Sequence, residues 1–184
     1  MATLVQPPIW LQGGTYPARI DRQLVQAVAT EGVVASNLAS TSFKVTERGA
    51  GANNSCDVAA GFAIVQGDNI SYQGRYLVVN EVVVNVTFGA APGAGTRIDG
   101  LYLQVNDPTS GGGAGDNAIL DVAVGPGGAT LPTLPATAIF LAYVTRTAGD
   151  VSITNSMITD ARSLARVGQP AEDGDSIIAS QVFS

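Results

Sequence analysis

Apolar and polar positions alternate most clearly over Glu81–Phe88, where Val82, Val84, Val86 and Phe88 share one face while Glu81, Val83, Asn85 and Thr87 share the other. A period of two predicts a half-buried β-strand. The same period recurs where Leu101, Leu103 and Val105 alternate with Tyr102, Gln104 and Asn106, and where Ala118, Leu120, Val122 and Val124 alternate with Ile119, Asp121 and Ala123. Four shorter β-branched segments, Ser42–Glu47, Cys56–Val65, Asn69–Tyr72 and Tyr76–Val79, are bounded by Gly, Asn or Asp and are expected to be strands as well. Turn signals at intervals of about 8 to 12 residues match a sandwich or barrel. The expected fold is therefore mainly β, an antiparallel β-sandwich of jelly-roll type with one or two short helices and extended terminal arms.

Ala138–Val144 differs, because apolar residues occupy both alternating faces: Ile139, Leu141 and Tyr143 on one, Phe140, Ala142 and Val144 on the other. Such a strand is covered on both sides. Two covers fit, a neighbouring subunit lying against Phe140 or the remainder of the same domain. Helical spacing appears twice. Ile20, Leu24, Ala27 and Val28 form one stripe of a helix over Ile20–Ala29 with Gly32 as its stop, and a second helix from Met157 to Ala165 is capped by Asn155 or Ser156. Three regions follow: an arm (Met1–Ala18), a body (Arg19–Arg166) and a tail (Val167–Ser184).

Composition narrows the chemistry. Of 184 residues, 46% are hydrophobic and only 13% charged, about half the roughly 25% charged content of an average soluble domain. Such a surface favours cover by other chains, and a homo-oligomer, with a trimer favoured, is expected. The 9 basic and 15 acidic residues give a net charge of -6, and the basic ones form no run, so nucleic acid is not an expected partner. No apolar stretch approaches the roughly 18 residues of a membrane helix, so no membrane insertion is expected. Arg19 is the first basic residue, so no cleaved secretion signal is expected either, and the sequons at Asn53, Asn69 and Asn85 carry little weight.

Histidine is absent and Cys56 stands alone, which leaves no zinc-ligand set, no Ser-His-Asp triad and no intrachain disulfide. No cofactor, metal or catalytic residue is expected, and the protein reads as a non-enzyme. Pro92-Gly93-Ala94-Gly95 precedes a predicted strand rather than a helix, so it is a turn and not a phosphate loop.

The remaining candidates are structural or adhesive. Arg97 and Asp99 are two apart, hence on the strand face that carries Leu101, Leu103 and Val105. They are expected to form a buried pair; the alternative is two separately solvated residues at a strand entrance. Pro7-Pro8-Ile9-Trp10-Leu11 offers extended backbone and apolar area, which makes Ile9, Trp10 and Leu11 a partner-binding candidate, unless Trp10 folds back on its own domain. In the tail, acidic Glu172-Asp173-Gly174-Asp175 precedes Ile177, Ile178, Val182 and Phe183, a strand-like segment suited to pairing with a neighbour's sheet edge.

Several segments, taken in order, resemble a family, the N-terminal modules of minor tail or baseplate proteins of tailed phages infecting actinobacteria. They are Asp21-Arg22-Gln23-Leu24, Glu31-Gly32-Val33-Val34, the run Val58–Val65, Gln73-Gly74-Arg75-Tyr76, Ala91-Pro92-Gly93, Arg97-Ile98-Asp99, Leu134-Pro135-Ala136 and Ile158-Thr159-Asp160-Ala161-Arg162. The resemblance covers residues 19 to 162. It implies a structural virion protein, assembled in the bacterial host cytoplasm and bound to other phage virion proteins through its terminal arms, that attaches or spaces the adsorption apparatus at the tail tip. Longer members continue into a stalk and a receptor-binding domain, which this sequence lacks after Arg162, so host recognition is not expected of it. Gly100 stands where an apolar residue more often follows Arg-Ile-Asp, as at a bulge. The alternatives are a capsid decoration protein of similar fold and a carbohydrate-binding module, the latter poorly served by 6% aromatic residues.

Overall fold

The computed structural model describes residues 17–168. Helix α1 (Ala18–Val28) is followed by ten strands, β1 (Gly32–Val33), β2 (Val45–Glu47), β3 (Ser55–Val58), β4 (Gly61–Gln66), β5 (Arg75–Asn80), β6 (Val84–Thr87), β7 (Thr96–Asn106), β8 (Asn117–Ala123), β9 (Ala138–Thr147) and β10 (Ile158–Asp160). They form three antiparallel sheets, in the orders β1-β4-β5, β10-β9-β7-β8 and β2-β3-β6. The fold is mainly β, as the alternating pattern predicts. All three sheets feed one core, in which Val33, Val58, Val65, Val86, Leu101, Leu103, Leu141 and Val144 pack together in a sandwich-like arrangement.

Several local expectations are corrected. Asn69–Tyr72 is a turn, not a strand: the buried Gln73 side chain accepts the amides of Asn69 (2.8 Å) and Ile70 (3.4 Å), and Tyr72 adopts a φ of 60°. A side-chain acceptor has taken the place of a partner strand. Cys56–Val65 is two strands, β3 and β4, broken at Ala59-Ala60. Ser42–Glu47 begins as a strand only at Val45, after Phe43 turns at a φ of 51°. In Glu81–Phe88 the inward face is Val84, Val86 and Phe88, whereas Val82 precedes β6 and is exposed.

Helix α1 lies close to its predicted bounds, but its packing stripe is rotated. Ile20 is buried, Val25 packs against Ala29, Ile64 and Ala165, and Ala27 and Val28 face outwards. Gly32 does not stop the helix. It opens β1 at a φ of 135°, where an added Cβ would lie 2.7 Å from the backbone of Leu164 and Ala165.

The predicted helix from Met157 to Ala165 does not form. A 3-10 turn at Asn155–Met157 runs into β10, which pairs with β9, and the chain continues extended to bridge Leu164 to Val33 and Val167 to Ala29. Tertiary pairing with the open edges of β9 and β1 outweighs a local helical pattern with little apolar area to bury.

Strand β9 is central, paired with β10 and β7, and Ile139, Leu141, Ala142 and Val144 are buried within the chain itself, while Phe140 and Tyr143 are only half-buried. Its alternation is interrupted. Tyr102 pairs with Phe140 but Leu101 pairs with Ala142, which leaves Leu141 as the extra residue of a β-bulge. Leu141 and Ala142 are therefore both buried, while Phe140 and Tyr143, predicted on opposite faces, stack on one with ring centroids 5.0 Å apart. The extra residue lies in β9, opposite the chain just beyond Gly100. Gly100 itself is where the Phe140 ring and Pro132 press on β7, since a Cβ there would overlap the ring and sit 2.9 Å from Pro132 Cγ.

Candidate functional site

Three polar centres tie the sheets together. The first is at Asp99. Arg97 Nε and Nη2 donate to its two carboxylate oxygens at 2.7 and 2.9 Å, Gly125 N donates at 3.1 Å, and Arg146 Nη1 lies 3.7 Å away. Asp99 is 1% exposed and Arg146 fully buried. Arg97 and Arg146 are direct cross-strand partners on β7 and β9, an opposition of like charges that costs energy unless an anion intervenes. Asp99 is that anion. Its hydrogen bond holds the Arg97 guanidinium more firmly protonated than usual. The same guanidinium groups reach across to the loop after β6 and to the residue before β3: Arg146 donates to Gly89 O and Asn54 Oδ1, both at 2.6 Å, and Arg97 to Ala90 O at 2.8 Å.

The second centre repeats the spacing of the first. Asp160 and Arg162 are also two apart, with Arg162 Nε and Nη2 on the Asp160 carboxylate at 2.9 and 2.6 Å. The remaining guanidinium protons go to the carbonyls of Leu38, Ser40 and Ser42, so Arg162 pins the loop before β2. Hydrogen bonding to Arg162 holds the Asp160 carboxyl below its ordinary value.

The third centre joins α1 to the sheets. Arg22 donates to Gln73 O (3.0 Å), stacks 4.7 Å from the Tyr76 ring centroid and lies 3.3 Å from Asp107. Asp107 accepts from Tyr76 and Ser110, and the Tyr76 hydrogen bond lowers its proton affinity first among several causes. Desolvation pushes the Tyr76 phenol up. Gly74 allows this docking, since a Cβ there would lie 2.6 Å from Arg22 C and 2.7 Å from its Cβ. Arg75 donates to the carbonyls of Gln26 and Ala29 at the other end of the helix.

Beside the third centre runs a groove. A cavity of about 610 Å³ lies between the start of α1, β5 and the beginning of β8, and a second of about 380 Å³ shares Val78, Val79 and Ala118 with it. The two continue into each other along open strand edges: among the described residues β5, β6 and β8 each pair on one side only.

The structure thus brings Arg97 and Asp99 together and leaves Phe140 half-buried against Tyr143. Ile9, Trp10, Leu11, Ile177, Ile178, Val182 and Phe183 lie outside the described residues. Sequence reasoning missed Arg146, which reaches Asp99 only through the β7-β9 pairing, and the Arg22-Tyr76-Asp107 cluster, whose members are far apart in the chain. It also placed Asp160 and Arg162 on a helix, although their spacing of two is the signal already used for Arg97 and Asp99.

Cys56 is buried, and desolvation pushes its thiol up to about 12, so it is not a nucleophile at neutral pH. Among the described residues no group of three or more Cys, Asp or Glu side chains is placed to hold a metal ion, and no helix is long and apolar enough to cross a membrane. The three centres join backbone segments to one another. The chain matches no protein-family model, no curated protein and no solved structure.

Proposed function

We propose that this protein is a structural virion component of a tailed bacteriophage, a non-enzymatic β module of the tail tip or baseplate that spaces or attaches the adsorption apparatus. One observation carries the reading: segments that resemble phage tail modules meet in space as anchors. Asp21-Arg22-Gln23-Leu24 docks on Gln73-Gly74-Arg75-Tyr76 through Arg22, with Gln23 donating to Tyr72 O just before it, Arg97-Ile98-Asp99 forms the first polar centre, and the run ending in Asp160-Ala161-Arg162 forms the second. Residues spent on fixing loops to sheets suit a body that must transmit load without changing shape. The low charge content and exposed apolar residues such as Phe62, Val82 and Val83 suit a subunit that repeats, as a trimer, against copies of itself. The segment from Ile177 to Phe183 is the candidate contact with the adjoining virion protein.

Immunogold labelling of whole phage particles tests this. Label at the tail tip is expected. Label over the capsid surface would replace the reading with that of a decoration protein, and absence from purified particles together with specific glycan-array binding would replace it with that of a carbohydrate-binding module. Sedimentation of the isolated protein should give a multiple of 18.7 kDa.

A further inference from the structure

We infer that the groove between β5 and β8 is a receptor for the chain's own N-terminal segment, with Ile9, Trp10 and Leu11 laid along it as an added strand. The groove is built for extended backbone, since the free edges of β5, β6 and β8 converge on it and an unpaired edge presents a row of amide and carbonyl groups. Its walls are apolar where a side chain would enter. Val105 and Val86 form part of the floor, and Leu77 and Val79, 58% and 48% exposed, are only half covered at the rim.

Position and charge select the occupant. Pro17, the first described residue, itself lines the groove, so the chain before it joins the body at that site. Six residue steps run from Leu11 to Pro17, a reach of about 20 Å in extended form, against about 13 Å for the four steps of β8 from Asn117 to Asp121. The sequence Met1–Tyr16 contains no charged side chain. By contrast, the segment after Gly168 starts at the far end of α1, where Gly168 N meets Val28 O, and carries Glu172, Asp173 and Asp175, which would face a desolvating groove wall. Of the two readings of Trp10, the groove therefore supplies a site for the one in which it folds back. The inference does not depend on the phage reading.

Trp10 is the only tryptophan, so its fluorescence reports the groove directly. In the full-length protein its emission should be blue-shifted and its acrylamide quenching reduced relative to the urea-unfolded chain. Val79→Asp, at an exposed rim position, should move both values towards those of the unfolded chain, and Leu77→Asp should do the same if Val79→Asp proves unstable. Val151→Asp, at an 84% exposed position outside the groove, should change neither. Circular dichroism of each variant checks that it is folded. Unfolded-like emission in the wild type would overturn the inference, as would a blue shift that survives both rim substitutions. A blue shift lost on dilution to the monomer would also overturn it, transferring the groove to the arm of a neighbouring copy.

Discussion

The Asp99 centre makes a quantitative prediction, because its geometry opposes two cations across a strand pair and places one anion between them. Arg97→Ala removes both guanidinium hydrogen bonds but leaves Asp99 with the Gly125 amide and with Arg146 3.7 Å away. At an effective dielectric of about 20 that remaining attraction is about 4 kcal/mol before desolvation. The carboxylate is therefore not abandoned, and the expected cost is about 3 kcal/mol, the lower end for breaking a buried pair. Asp99→Asn is worse, since it leaves Arg97 and Arg146 as like-charged cross-strand neighbours, and its expected cost is about 4 to 5 kcal/mol. The double variant removes both the orphaned anion and one of the opposed cations, so it should fall short of the sum by about 2 kcal/mol. Urea denaturation followed by far-ultraviolet circular dichroism, at constant m-value, gives all three numbers. Additivity within about 0.5 kcal/mol would refute the coupling. A cost for Arg97→Ala above that for Asp99→Asn would refute the role given to Arg146.

Gly32→Ala should destabilise the body by about 3 kcal/mol or more, since the φ of 135° is strained for any side chain and the atoms in the way are backbone; a melting temperature close to wild type would contradict that crossing. The Cys56 thiol is neutral in both states below its ordinary value of 9.0, so its ionisation does not bear on stability there. Between that pH and its folded value of about 12 only the unfolded chain ionises, and stability should fall by about 1.4 kcal/mol per pH unit. Cys56→Ala should remove that slope, which urea midpoints at neutral pH and near pH 10 would measure; equal slopes in the two proteins would reject it. Leu141→Ala should cost about 2 to 5 kcal/mol and Phe140→Ala distinctly less, as Leu141 is fully buried at the bulge and Phe140 only half-covered. The reverse order in thermal melts would mean that the bulge is misplaced.

What the sequence made legible, and what it hid, follows from how local each feature is. The period of two in Leu101–Val105 and in Val84–Phe88 survives because each residue reports its own face, and the Arg97–Asp99 proximity follows from the same parity. A single extra residue defeats that logic. Leu141 shifts every later residue of β9 to the opposite face, so Tyr143 joins Phe140 and Arg146 turns inward to Asp99, and no feature of an uninterrupted apolar run reveals where the shift occurs. The missing second helix has the same origin in reverse. Spacing of three and four in Met157–Ala165 is visible locally, but the edges of β9 and β1 that claim the segment are supplied by residues more than a hundred positions away or by a central strand whose register was itself misread. The polar centres were half-legible for a related reason: the first two each contain a pair two residues apart in the chain, whereas Arg146 arrives through strand pairing and the Arg22-Tyr76-Asp107 cluster assembles only when α1 docks. Since those distant members, Arg146 and Arg22, reach backbone carbonyls and carboxylates that only the assembled fold brings near, the sites are products of the tertiary structure, and their stability reports on the fold as a whole rather than on any single segment.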